Sequence, residues 1–275
     1  MAVESITETA MIWGTVSGAS MAGMVISLLL SVGLPIFLCI FIYKKTRAWV
    51  PAFFIGCGIF VGFAMILEQI CHAIVLMLTG GVLQDNIWLY GLYGGVAAAL
   101  FEETGRWIAM KFCLKKHLTR ENALMYGAGH GGIEAFLILG MSSMSNLLTA
   151  AMINGGLMEK TMTALEPAQQ EVTYNQLSIL WTTPAYQFYL APLERISAIA
   201  LQIALSILVY SAVKTGRKLH LAAAFGLHFA VDFLTVICAS MIPTWALELG
   251  LLVVVAVICA AVYKLVYVHS AEKKA

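Results

Sequence analysis

Apolar runs of about 20 residues or more, separated by short polar connections, account for nearly the whole chain. They lie approximately at Ser17–Tyr43, Trp49–Leu78, Trp88–Phe112, Asn122–Ala150, Gln187–Val213, Leu219–Ile242 and Trp245–Val268. A helix of about 20 apolar residues crosses a bilayer, so the pattern predicts an all-α, polytopic transmembrane bundle of about seven spans. No stretch is left over for a separate soluble domain, and residues 1–275 read as one transmembrane domain. Inside it, residues 151–186 form a longer extracellular loop with Pro167, Pro184 and an amphipathic patch at Leu177–Trp181. That loop is either a cap over an outer opening or a loosely held connection.

Composition agrees with the pattern. The chain is 61% hydrophobic and 11% charged, whereas a soluble domain carries about a quarter charged residues. The placement of the charges adds an orientation. Lys44, Lys45 and Arg47 follow the first run, and Lys111, Lys115, Lys116 and Arg120 follow the third. Lys214, Arg217 and Lys218 follow the fifth, and Lys264, Lys273 and Lys274 close the chain. The alternate connections hold Asp85, Glu159, Glu166 and Glu171, with Lys160 among them. Basic residues mark cytoplasmic connections, so the N-terminus is expected outside and the C-terminus in the cytoplasm of a bacterial cell, with the chain multi-pass in its cytoplasmic membrane. Glu4 and Glu8 stand where a secretory signal would carry lysines, so the first span is expected to be retained. A net charge of +1 and no basic patch laced with aromatics point to the lipid bilayer, and not to nucleic acid, as partner. Cys39, Cys57, Cys71, Cys113, Cys238 and Cys259 are scattered through apolar runs without a CxxC pair and read as small core residues.

The chemistry lies in the ionisable residues inside those runs, where charge is costly unless paired or functional. The third run contains AAALFEETGRWIAM, with Glu102, Glu103 and Arg106. Three helix-spaced pairs accompany it: Glu68 with His72, His130 with Glu134, and His228 with Asp232. Counted from the basic ends of their helices, Glu102, Glu103, His130 and His228 all fall roughly 12–14 Å below the same surface. Three helices thus deliver carboxylate and imidazole to one plane, with Glu134 and Asp232 a turn deeper as supports for the histidines. Glu102, His130 and His228 are candidate ligands for Zn²⁺, with a water in the open position. A metal-free arrangement, in which Glu and His activate water and the second His stabilises an oxyanion, fits the same residues. Arg106 is expected to neutralise the carboxylate pair. Glycines 127, 129, 131 and 132 around His130 read either as close helix packing or as a widened cavity. Nearer the outside, Glu68, His72, Glu194 and Arg195 read as a second group, either an ion-pair network in which Arg195 meets Glu68 or Glu194 or a second catalytic shell.

These motifs resemble a known family. Glu102-Glu103-x-x-Arg106, Tyr126-x-x-x-His130 and His228-x-x-x-Asp232 come in the order seen in the CAAX-processing and bacteriocin-processing membrane proteases. The fuller stretches FEETGRWIAMKF, YGAGHGGIEA, LERISAIALQIALSILVY and GLHFAVDF look most like the YhfC family of intramembrane metalloproteases, related to PrsW. The resemblance implies hydrolysis of a peptide bond of a membrane protein or peptide substrate. By residue it implies Glu102 or Glu103 as water-activating base or ligand, His130 and His228 as ligands or acid–base groups, and Asp232 as support for His228. Two features depart from the pattern. The Glu-Glu-to-Arg spacing is one residue shorter than in the CAAX enzymes, and Gln202 stands where a third histidine would strengthen a metal site. Two other readings of the same residues are a polar relay in a transporter or channel, and a catalytically silent scaffold. Geometry separates them, because hydrolysis requires the Glu102/Glu103, His130 and His228 side chains to meet beside a cavity.

Overall fold

A computed structural model describes residues 11–268; Glu4, Glu8, Lys273 and Lys274, used above for orientation, lie outside the described residues. Nine helices carry the argument: α1 (Gly18–Thr46), α2 (Pro51–Thr79), α3 (Ile87–Ile108), α4 (Arg120–Asn154), α5 (Leu157–Met162), α6 (Pro167–Thr182), α7 (Ala185–Thr215), α8 (Lys218–Ala239) and α9 (Thr244–Tyr267). Their ends follow from local chemistry. Ser17 accepts a hydrogen bond from the Ser20 amide at the start of α1, Asn86 from the Trp88 and Leu89 amides at α3, and Thr119 from the Asn122 amide at α4. Pro51 opens α2, where a missing N–H costs nothing. Gly80 and Gly216 close α2 and α7 in the left-handed region, at φ 55° and 73°.

The chain is a polytopic helical membrane protein. Six of the helices, α1, α2, α4, α7, α8 and α9, are long and apolar enough to cross a membrane. The third sequence-predicted span is present as the 22-residue helix α3, which is not among those six. Its Glu102, Glu103 and Arg106 are buried in the bundle rather than turned outward. Helix α7 is the axis of the bundle: 72% of its apolar window is buried, against 17–22% in the other five. It packs on α1, α4, α8 and α9. The outer faces are apolar, with Leu29, Phe37, Phe54, Leu148 and Val253 exposed, as surfaces that meet lipid tails are.

The basic connections converge at one end of this bundle. The Trp49 amide donates to Asn122 Oδ1 at 2.7 Å, the Trp49 and His117 rings stack at 4.2 Å, and Arg120 Nη1 donates to the Tyr267 carbonyl at 3.2 Å. These contacts join the α1–α2 connection, the α3–α4 connection and the end of α9.

At the opposite end, residues 151–186, expected as either a cap or a loosely held connection, hold α5 and α6. The reason is an apolar face with a partner: Leu180 buries against Val16, Met24, Ala150 and Ile153. Trp13 packs on Tyr174 and Trp181 at 5.5 and 5.8 Å, Tyr174 Oη donates to the Ile12 carbonyl at 2.7 Å, and Asn154 bonds both backbone groups of Val16. The cysteines are unpaired; Cys113 is exposed and the other five are part-buried, so they are less deeply placed than core residues.

The glycines around His130 serve close packing. A Cβ on Gly129 would stand 1.9 Å from the Phe53 carbonyl oxygen, and one on Gly56 2.2 Å from that of Tyr126, where α2 crosses α4. Gly127 and Gly131 meet the Ile203 and Ile199 Cα atoms of α7 in the same way, at 2.7 and 3.0 Å. No room is left for a widened cavity at these positions. A Gly129→Ala substitution forces backbone against backbone, and overpacking of this kind costs about 1–3 kcal/mol. Thermal unfolding in detergent should therefore show Gly129→Ala clearly destabilised, and Gly94→Ala, where a Cβ meets nothing within 4 Å, close to the parent.

Candidate active site

Helix α3 brings Glu102, Glu103 and Arg106 onto one face, three and four residues apart. Arg106 is wholly buried. Its Nη1 donates to the Gln202 carbonyl at 2.7 Å and to Ser206 Oγ at 3.0 Å, and its Nη2 donates to Gln202 Oε1. Its Nε stands 3.3 Å from Glu103 Oε2, an ion pair without the alignment of a hydrogen bond. The guanidinium is therefore held by α7 from one side and by its own helix from the other. It pairs more closely with Glu103 than with Glu102, whose Oε2 lies 3.9 Å from Nη2.

Both histidines reach the carboxylate pair. His228 Nδ1 lies 2.8 Å from Glu103 Oε1, so the carboxylate fixes the proton on Nδ1. This turns His228 Nε2 toward Glu102 Oε2 at 3.9 Å and Asp232 Oδ2 at 3.5 Å. His130 Nε2 lies 2.9 Å from the same Glu102 oxygen and 3.4 Å from Arg106 Nη2. One nitrogen does not accept from Arg106 while donating to Glu102, and the shorter contact identifies Nε2–H as the donor to the carboxylate. Phe60 closes the other side of the His130 ring edge-on, at 5.2 Å between centroids. Gln202 Nε2 then donates to Glu102 Oε2 and to Glu134 Oε2, each at 2.9 Å. The four residues singled out for catalysis, Glu102, Glu103, His130 and His228, thus form one connected cluster.

A cavity of about 540 Å³ lies against part of this cluster. Glu102, Gln202, His228, Asp232 and Glu134 line it, as do Glu194, Arg195 and His72 from the second polar group. Glu103, Arg106 and His130 have no exposure and do not line it. The two polar groups therefore share one space. Glu134 is turned away from His130: its oxygens take Gln202 and Arg195 Nη1, the latter at 3.1 Å. Arg195 pairs with Glu134 and Glu194 and not with Glu68. Glu68 is buried beside His72 Nε2 at 3.3 Å, and His72 Nδ1 meets Tyr93 Oη at 2.7 Å. Gln202 and Ser206 are the residues whose part the sequence reading missed. The available signal was their place on α7: Arg195, Gln202 and Ser206 are spaced seven and four apart, on one face.

The expected zinc set of Glu102, His130 and His228 fits poorly here. His130 Nε2 is committed to Glu102 and lies 3.4 Å from a guanidinium, so its lone pair is not presented to a cation. Among the described residues, no three His, Cys, Asp or Glu side chains are grouped to hold a metal ion.

A family model described as YhfC intramembrane metalloprotease matches residues 30–259, which contain every residue of the cluster. The chain is 42% identical over 204 residues to a protein of Bacillus subtilis (strain 168) named "Uncharacterized membrane protein YhfC", covering 71% of this chain and 76% of that protein. No solved structure matches.

Proposed function

Since the chain belongs to the YhfC intramembrane metalloprotease family, we propose that it is an intramembrane peptidase of a bacterial cytoplasmic membrane, hydrolysing a peptide bond of a membrane protein or peptide at the Glu102–His228 cavity wall. The observation that carries this reading is the single oxygen Glu102 Oε2. Glu102 lines the cavity, and this oxygen takes hydrogen bonds from His130 and Gln202 and stands 3.9 Å from His228 Nε2. That separation is too long for a direct hydrogen bond, and a water seated beside both groups contacts each.

In this reading Glu102 removes a proton from that water as it attacks the carbonyl carbon. His228, doubly protonated with Nδ1–H held by Glu103, hydrogen-bonds the developing oxyanion through Nε2–H and passes that proton to the leaving amine; the proton taken up by Glu102 then returns to His228 Nε2 and restores both groups. Asp232 holds the ring from the cavity side and Glu103 from the buried side. His130, Glu103 and Arg106 are positioning residues, because they reach substrate only through Glu102 or His228; Gln202, which itself lines the cavity, holds Glu102 by its Nε2 donor. The family description carries a metal; the residues as placed do not form its ligand set, and no step above passes through one. The α3 helix is taken as the seventh crossing, with the N-terminus outside, since the basic connections share one end.

A polar relay across the membrane is the second reading, and a specific observation favours it: Glu194, Arg195, Glu134, Gln202 and Glu102 are joined in one hydrogen-bonded chain. Reconstitution separates the two. Proteoliposomes holding the protein and co-reconstituted single-span proteins are assayed for new peptide termini, and in parallel for dissipation of an imposed pH gradient. Hydrolysis predicts termini that depend on Glu102 with the gradient intact. A gradient that collapses only with intact Glu102, without new termini, overturns it in favour of the relay.

A further inference from the structure

The cavity sits entirely on one side of the reactive plane. On α3 its lining residues run from Tyr90 to Glu102, and on α8 from His228 to Val236. On α7 they begin at Glu194 and end at Gln202. In each helix these positions lie between the cluster and the end away from the basic connections. Val236 is eight residues beyond His228 and Tyr90 twelve before Glu102, so the space extends about 12–18 Å from the plane along these helices. Side-chain exposure rises in the same direction, from 4% at His228 and 9% at Glu102 to 34% at both Asp232 and Glu194. On the basic side of the plane an open groove lined by Trp107, Leu221 and Phe225 includes no residue of the cluster, and the interior between is packed: Arg106, Met110, Tyr126, Leu205 and Ser206 have no exposure.

From this one-sidedness we infer that the substrate is a membrane-anchored polypeptide cut in the outer half of its span or in the stretch just outside it, reaching Glu102 from the face opposite the basic connections. A cytoplasmic peptide has no route to Glu102, since the packed layer around Arg106 and Tyr126 intervenes. His72, Tyr93 and Arg195, on three different helices, are among the polar side chains such a segment passes before the reactive plane. The inference takes its substrate from the peptidase reading, but the direction of access is measured without any cleavage.

The test is labelling from one side at a time. Thr235→Cys and Leu251→Cys place thiols in the cavity wall. The neighbouring Leu234→Cys, exposed on the outer surface of α8, controls for a lipid-facing thiol. The exposed native Cys113, beside the basic connection after α3, marks the other face. Right-side-out and inverted membrane vesicles of the full-length protein are treated with a charged, membrane-impermeant maleimide, and each site is read separately by peptide mass spectrometry, so the native cysteines stay in place. Cavity thiols should label at least 10-fold faster in the vesicle orientation in which Cys113 is protected, and Leu234→Cys should stay slow in both. Cavity thiols labelling from the same side as Cys113, or from neither side, overturn the inference. Outward labelling in a protein that yields no new peptide termini would retain the access route and remove the peptidase.

Discussion

Glu102→Gln protein should accumulate in the membrane at the parental level and lose at least about 100-fold in cleavage rate, since a positioned general base contributes about 10²–10⁴-fold. Glutamine has nearly the same shape and its side-chain carbonyl still accepts from His130 Nε2–H and Gln202 Nε2, the two donors that hold Glu102 now. Arg106 retains its closer carboxylate, Glu103 at 3.3 Å. Folding and chemistry are therefore separable at this residue. Quantified protein in the membrane and initial cleavage rates on the same sample make the check. Full activity in Glu102→Gln would assign the cluster to packing, which is the silent-scaffold reading.

The largest effect on stability should come from Arg106→Leu. The substitution leaves Glu103 wholly buried without its ion-pair partner and removes the donors to the Gln202 carbonyl, Gln202 Oε1 and Ser206 Oγ. Breaking a buried pair from one side costs about 3–5 kcal/mol, whereas replacing both partners by apolar groups is often near neutral. Thermal unfolding in detergent should then show Arg106→Leu strongly destabilised and the double variant Glu103→Met/Arg106→Leu partly recovered. A double variant no more stable than the single one would mean that Glu103 is not the group Arg106 compensates. The double variant should remain inactive, because His228 loses the carboxylate that fixes its Nδ1 proton.

The helical architecture was legible because the bilayer imposes long apolar runs, and the described helix bounds differ from those runs by only a few residues. The central cluster was legible for a related reason. Charge at depth is rare enough that Glu102, Glu103, His130 and His228 stood out, and equal distances from the basic ends placed them at one level. Depth along a helix says nothing about rotation around it. Glu134 shares a helical face with His130 yet turns to Gln202 and Arg195, because α7 presents those side chains across the gap. Gln202 stood out only as the place where a third histidine is missing, and its neighbours in the apolar run did not show that it bridges two carboxylates and the guanidinium. The amphipathic patch at Leu177–Trp181 was legible, but what it packs on was not, because its partners Trp13 and Val16 lie far away in the chain. Long-range partners of short apolar patches are not encoded in local periodicity.

Hydrolysis leaves an isotopic mark that neither a relay nor a scaffold produces. Membranes holding matched amounts of the protein or its Glu102→Gln variant are incubated in water enriched in oxygen-18, and new C-termini are sequenced by mass spectrometry. The account predicts a set of C-termini, each carrying the label in its carboxylate, that the variant lacks. Identical sets of labelled termini from the two membranes would contradict it.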